Sequence, residues 1–254
     1  MLSQPLPLSQ PNGPATKPLP SPAMTSPLRL LALSLLCVAC TTSAPVAPLT
    51  GPIKARSELL LAQAKARPPA PGSVIALGSS HMEKWKTLSA DLGGLDIHNF
   101  GIGGSLMSQA DEHFISELAI PFKPRAVLLY AGSNDLAAGA SPEQILTHFR
   151  GLHRQLHAAL PATRLYVLGI VPSPGKRFER IADLLRANAL LRQECATQPW
   201  MTYIDATSPL LGPDGKPRTE CFIPGDIHLT PAGYAAWKAA VAPVLAREKT
   251  GQTR

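Results

Sequence analysis

Five short apolar runs, set between helical patterns, limit most strongly what this chain can fold into. Ser73-Val-Ile-Ala-Leu77 is such a run and stops at Gly78. A brief apolar stretch closed by a turn residue reads as a strand buried on both faces. Ile97-His-Asn-Phe100 is less regular and also ends in glycine, while Ala126-Val-Leu-Leu-Tyr130 and Leu165-Tyr-Val-Leu-Gly-Ile170 are the clearest cases. Met201-Thr-Tyr-Ile204 is the fifth. Helical patterns fill the gaps. One covers His81 to Asp91, and another opens at Ser141 as N-cap, with Pro142 in the first turn and Gln144 completing a capping box. A third covers Phe178 to Thr197, and the last starts at Thr230-Pro231 and runs to about Arg247. Alternation of this kind predicts a three-layer α/β/α fold: a flavodoxin-like, doubly wound parallel sheet of five strands, covered on both faces. Ligands of such folds gather beyond the carboxyl ends of the strands.

The first fifty residues do not belong to that pattern. They hold ten of the 27 prolines, no acidic residue and one apolar stretch. Met24-Thr-Ser-Pro-Leu-Arg29, then Leu-Leu-Ala-Leu-Ser-Leu-Leu-Cys-Val-Ala, then Cys40 has the build of a bacterial export signal. Val38-Ala39-Cys40 reads as a lipoprotein processing box with Cys40 as the lipidated residue, although Cys37 stands where an aliphatic residue is usual. Ordinary secretory cleavage nearby is the alternative, and Pro45 after Ala44 disfavours it. Met1 and Met24 both remain open as the start. The expected organisation is an extension and export signal over 1–39, a tether over 40–56, and a single domain over 57–254. The chain is thus expected to be exported from a bacterial cytoplasm to the envelope, touching membrane only through a lipid anchor. No later apolar run approaches the roughly 20 residues a membrane span needs. The formal charge of +7 is spread along the chain, without a Lys/Arg run, which argues against a nucleic-acid partner. In the body only Cys195 and Cys221 remain. After export they are expected to pair, with two separate buried thiols as the alternative, and neither has metal-binding spacing.

Three polar, glycine-rich loops follow the first three strands. Ser80 sits between a strand and a helix, where its hydroxyl is either an N-cap or a nucleophile awaiting a base. Gly103-Gly104 is either a tight turn or a stretch of backbone open enough to offer amide donors to an oxyanion. Asn134 suits a turn, and its side-chain amide suits the same oxyanion. His228, just ahead of the last helix, is the obvious general base. Of the other histidines, His148, His153 and His157 lie along one helix, are expected to have no carboxylate partner and read as solvated.

Taken together, Gly78-Ser-Ser80, Asn99-x-Gly-x-Gly-Gly104, Gly132-x-Asn134-Asp135 and Asp226-x-His228 resemble the four conserved blocks of the SGNH/GDSL hydrolases, from about Ser73 to Val244. Asn99-Phe-Gly-Ile-Gly-Gly104 is similar to the branch containing platelet-activating-factor acetylhydrolase catalytic subunits. The resemblance implies the SGNH fold and a serine esterase without cofactor or metal. It makes Ser80 the nucleophile, His228 the base, and the Ser80 amide, the Gly104 amide and the Asn134 side chain the oxyanion donors. This sequence departs from the family twice. Ser79 replaces the motif's aspartate, and Gly225 stands three residues before the histidine, where the family has its acid. Asp226, two before, is expected to orient His228, against two rivals: a main-chain carbonyl as the acceptor, or Asp226 facing solvent in its loop.

The substrate is expected to be a small acyl ester, a lipid ester or an acetylated glycan, in a pocket lined by His81, Ile102, Leu106, Met107, Leu136 and Ile223. Two other functions remain open: an envelope lipoprotein with a decayed site that binds glycan or a partner, and a flavodoxin-like nucleotide binder. The second leaves His228 without a purpose.

Overall fold

The computed structural model describes residues 48–248 together with Gly13. The export signal, Cys40 and the first part of the expected tether lie outside the described residues. Helix α1 (Gly51–Ala66) begins within the segment expected as tether. Thr50 is its N-cap, a proline falls in its first turn, and Leu60 and Ala64 bury against the sheet.

The sheet consists of β1 (Val74–Gly78), β2 (Ile97–Gly101), β3 (Ala126–Tyr130), β4 (Arg164–Leu168) and β5 (Met201–Ile204). All pairings are parallel, in the order β2-β1-β3-β4-β5. Alternation along the strands divides the core into two layers. Ile75, Leu77, Val127, Leu129, Leu165 and Val167 pack with α1, a π-helix over Ala110–Ala119, α6 (Pro142–Ala159) and α7 (Ile181–Ala196). Val74, Ala76, Ala126, Leu128, Tyr166 and Leu168 pack with α2 (Ser80–Lys84), α3 (Leu88–Asp91) and α8 (Pro231–Leu245). Two short helices, α4 (Met107–Gln109) and α5 (Ser133–Ala137), follow the β2 and β3 loops. The chain winds both ways from β1, and that reversal opens a crevice at the carboxyl end of the sheet.

The capping box of α6 forms as the sequence indicates, with Ser141 Oγ accepting from Gln144 N at 3.2 Å and Gln144 Oε1 from Ser141 N at 2.8 Å. Other elements differ from expectation. The helix expected over His81 to Asp91 breaks at Trp85, because Asn99 Nδ2 donates to the Met82 carbonyl at 2.7 Å and the Trp85 indole turns to Asp91 Oδ2 at 2.8 Å. Strand β4 ends at Leu168, and the Ile170 N–H donates to Asn188 Oδ1 at 2.9 Å rather than to a strand.

The α6 histidines are not the solvated row expected. His153 is buried with Nε2 3.0 Å from Glu194, His148 lies 3.4 Å from Asp111, and His157 stacks on Trp200 at 4.4 Å. The acids beside His148 and His153 come from the π-helix and α7. Cys195 and Cys221 are not joined either, contrary to expectation: both are free and buried, in core layers on opposite sides of the sheet.

Candidate active site

The loop after β1 carries Ser80, and the neighbouring strands hold it. Ser79 N donates to Tyr130 O at 3.1 Å, and Gly78 O accepts from Ile102 N at 2.8 Å, fastening the loop to the ends of β3 and β2. Ser79 is in extended conformation, so Ser80 becomes the first residue of α2, and the first amides of a helix have no partner within it. A side-chain carbon on Gly101 would lie 2.2 Å from the Glu83 amide, so only glycine lets α2 settle this closely on β2.

From the opposite end of the domain comes His228. A bridge between Phe222 and Leu229 closes its loop, and Asp226 N donates to Ile223 O at 2.9 Å in a turn where Gly225 has φ of +74°. That left-handed backbone favours glycine, and it swings Asp226 toward the imidazole. Asp226 Oδ1 is 2.8 Å from His228 Nδ1, and His228 Nε2 is 2.9 Å from Ser80 Oγ. The hydrogen bond from His228 holds the Asp226 carboxyl below its usual range, helped by the Ile227 N–H, so the group is ionised and can only accept. The proton therefore sits on His228 Nδ1, leaving Nε2 free to accept from the Ser80 hydroxyl. Among the described residues Asp226, not a main-chain carbonyl, is the partner of His228 Nδ1.

His81 lies under this loop, not in a pocket. Its side chain is 1% exposed and its Nε2–H donates to Ile227 O at 3.1 Å, between Asp226 and His228. Burial pushes its imidazole down to about 3, with the adjacent His228 as the next cause, so the ring is neutral. Ser173 Oγ donates to the same carbonyl at 3.1 Å, fixing the loop from a second side.

The glycine pair divides its work. Gly103 N–H donates to Glu83 Oε2 at 2.9 Å, whereas Gly104 is exposed, has φ of +79°, and its N–H has no partner among the described residues. A side-chain carbon on Gly103 would lie 3.8 Å from Ser80 Cβ, so the turn passes directly beside the serine. Buried Asp135 anchors the start of α4 by accepting from Met107 N at 2.9 and 3.0 Å. Asn134 Nδ2 donates to Ser105 O at 2.9 Å, which ties the β3 loop to the residue after Gly104. Among the described residues, no cluster of three or more His, Cys, Asp or Glu side chains is placed to hold a metal ion.

A serine beside a helix start, an imidazole on its oxygen, a carboxylate behind the imidazole and free amides alongside make an arrangement suited to acyl transfer. The sequence profile of the GDSL-like lipase/acylhydrolase family matches residues 72–236, a segment that contains every one of these groups. The chain belongs to this family.

Solved structures agree on the fold of this GDSL hydrolase. A Streptococcus pneumonia protein named for platelet activating factor is 16% identical, with a TM-score of 0.67 over 76% of this chain and 92% of its own. A GDSL-like lipase from Bacteroides thetaiotaomicron is 16% identical, with a TM-score of 0.62 over 75% of this chain and 97% of its own. A carbohydrate esterase family 3 protein from Talaromyces cellulolyticus is 17% identical, with a TM-score of 0.55 over 71% of this chain and all (100%) of its own. No curated protein matches the sequence significantly.

The expected pocket residues scatter in this GDSL hydrolase. Ile102 and Met107 are fully buried, in the core layer that packs with α1, α6 and α7. Leu136 lines a cleft of about 480 Å³ with Ser133, Val171, Arg177, Arg180 and Leu184. Leu106 lines a separate groove with Ser108 and His148, and Ile223 is 42% exposed beside the His228 loop. The sequence reading missed Arg177, Ser173 and Glu83. The first two belong to the loop after β4, whose Pro172-Ser-Pro-Gly175 run signalled a turn but no chemistry.

Proposed function

We propose that this ester hydrolase cleaves carboxylic esters of small acyl groups through an acyl-enzyme on Ser80. The observation that carries the reading is the unbroken line from Ser80 Oγ to His228 to Asp226, with steps of 2.9 and 2.8 Å. His228 Nε2 takes the Ser80 proton as the oxygen attacks the ester carbonyl. The resulting oxyanion accepts from the Ser80 and Gly104 amides and from the Asn134 side chain. Collapse of this intermediate expels the alcohol, which leaves with the proton from His228. Water then attacks the acyl-enzyme with the same base, releasing the acid and restoring Ser80. Asp226 stabilises the imidazolium formed in both steps.

Within this reading we favour an acetylated glycan over a lipid ester as substrate, supported by a carbohydrate esterase that shares the fold. The decayed-site reading rested on Gly225, and it loses its support with a carboxylate 2.8 Å from the imidazole. We also place the enzyme in the bacterial envelope, anchored by lipid on Cys40. Palmitate incorporation in a lipoprotein-processing host tests this, and soluble, unlabelled export would refute it. The catalytic reading is tested with a p-nitrophenyl acetate-to-octanoate series and an acetylated oligosaccharide. Wild-type protein should favour the shortest chains and Ser80→Ala should abolish turnover. A Ser80→Ala variant as active as wild type would remove the serine from the mechanism.

A further inference from the structure

We infer that Arg177 is a positioning residue that sets the orientation of the Asn134 amide in the oxyanion site. The inference rests on the acyl-transfer reading above. Arg177 lies in a 3₁₀ turn over Gly175–Arg180, in the loop leaving β4. One arm of its guanidinium, Nη2, donates to Asn134 Oδ1 at 3.0 Å. The other, Nη1, donates to Ser133 Oγ at 2.8 Å and to Ser133 O at 3.3 Å.

The chemistry of these partners fixes the amide. A guanidinium only donates and a carbonyl only accepts. With Arg177 on one side and Ser105 O on the other, Asn134 must turn its oxygen to the arginine and its NH₂ to Ser105. One N–H is used by Ser105, at 2.9 Å, and the second has no partner among the described residues. Without Arg177 only the Ser105 contact constrains the amide, and the group is free to rotate about that single bond. Catalysis by a hydrogen-bond donor depends on its being aimed before charge develops.

Two further observations favour this role over that of a surface cation. Among the described residues no carboxylate lies within ion-pair distance of Arg177, and each of its partners is a neutral acceptor of the β3 loop. Three residues on, Arg180 donates to the carbonyls of Leu136 and Ala140 and pairs with Asp183 at 2.6 Å. The turn thus grips α5 at both ends, with Arg177 at the end that bears Asn134. A lysine cannot reproduce the arrangement, because a point ammonium lacks the planar fork.

The test is a double-mutant cycle between Arg177→Met and Asn134→Ala, read as kcat and KM on the best small ester. Arg177→Met should lower kcat about ten- to hundred-fold, less than the 10²–10³-fold typical of losing the donor outright, with KM within about two-fold. In the Asn134→Ala background the same change should cost nothing further, because the two act as one unit. If Arg177→Met does not fold, Arg177→Lys enters the same cycle with the same expectation. Equal fold-losses in both backgrounds, or a loss confined to KM, would overturn the inference while the esterase reading stands. Wild-type protein silent toward every ester would overturn both.

Discussion

Asp226 shows how a single residue can satisfy a requirement from an unfamiliar position. The imidazole needs an acceptor on Nδ1, and the residue three positions back is Gly225, which has no side chain to offer. Its φ of +74° turns the chain so that the next carboxylate arrives instead, at 2.8 Å. In isolation Ser80, Gly104 and Asn134 read as cap or turn residues, and it is the joint resemblance of their blocks and that of His228 to one family that singles the four out. The acid was legible only as one option among three, since the choice depends on a backbone angle. Asp226→Asn should cut kcat by up to about 10⁴-fold, the loss known for the corresponding change in the Ser-His-Asp template. Gly225→Asp should not raise activity, because a side chain at that φ is strained. Steady-state rates of both variants at one pH, with folding checked by circular dichroism, decide the matter. A near-wild-type Asp226→Asn enzyme would take the carboxylate out of the reaction.

At the level of elements, the strands and the long helices α6, α7 and α8 could be read because apolar runs and caps are local signals, whereas α1 begins in a segment read as tether. The break between α2 and α3 could not, since it is made by Asn99 from another strand. The carboxylate partners of His148 and His153, and the separation of Cys195 from Cys221, depend likewise on which helices share a layer. His81 belongs to this class. It joins α2, which carries Ser80, to the loop that carries His228, through Ile227 O at 3.1 Å. Its imidazole, pushed down to about 3 by burial, has a pH consequence. Below the unfolded-state value of about 6.5, the unfolded chain binds a proton at His81 that the native state refuses. Stability is therefore full above that pH, and it falls as the pH drops from about 6.5 toward 3 by about 1.4 kcal/mol per unit. His81→Gln keeps an N–H donor without a titrating group. Its urea-unfolding free energy should fall less steeply than wild type's between pH 6.5 and 4. Parallel slopes for the two proteins would show that His81 is protonated in the native state after all.

Across the whole molecule, chemistry and fastening occupy opposite edges of the sheet. Ser80, Gly104 and Asn134 follow the carboxyl ends of β1, β2 and β3. At the amino ends, Glu248 closes the fold. Its carboxylate is fully buried, accepts from the Tyr166 hydroxyl, and lies 2.7 Å from Arg164 Nε and 3.6 Å from Arg125 Nε. Arg164 opens β4 and Arg125 immediately precedes β3, so the turn after α8 is bound to two neighbouring strands. Removing one member of a buried ion pair leaves the others unpaired, at a cost of about 3 kcal/mol, toward the low end because both arginines keep partial access to water. For a domain of this size that corresponds to a fall in Tm of about 6–12 °C. Glu248→Ala should show this fall in a thermal melt. Its kcat, measured well below the melting range and corrected for the folded fraction, should match wild type's, because none of the groups around Glu248 touches the Ser80–His228–Asp226 line. Glu248→Gln should lose less, since an amide still accepts from Tyr166 or Arg164. An unchanged Tm in Glu248→Ala would mean that α8 is held by the packing of Trp237, Val241 and Leu245 alone. A lowered kcat in the folded variant would mean that the two edges are coupled through α8, which starts just after His228.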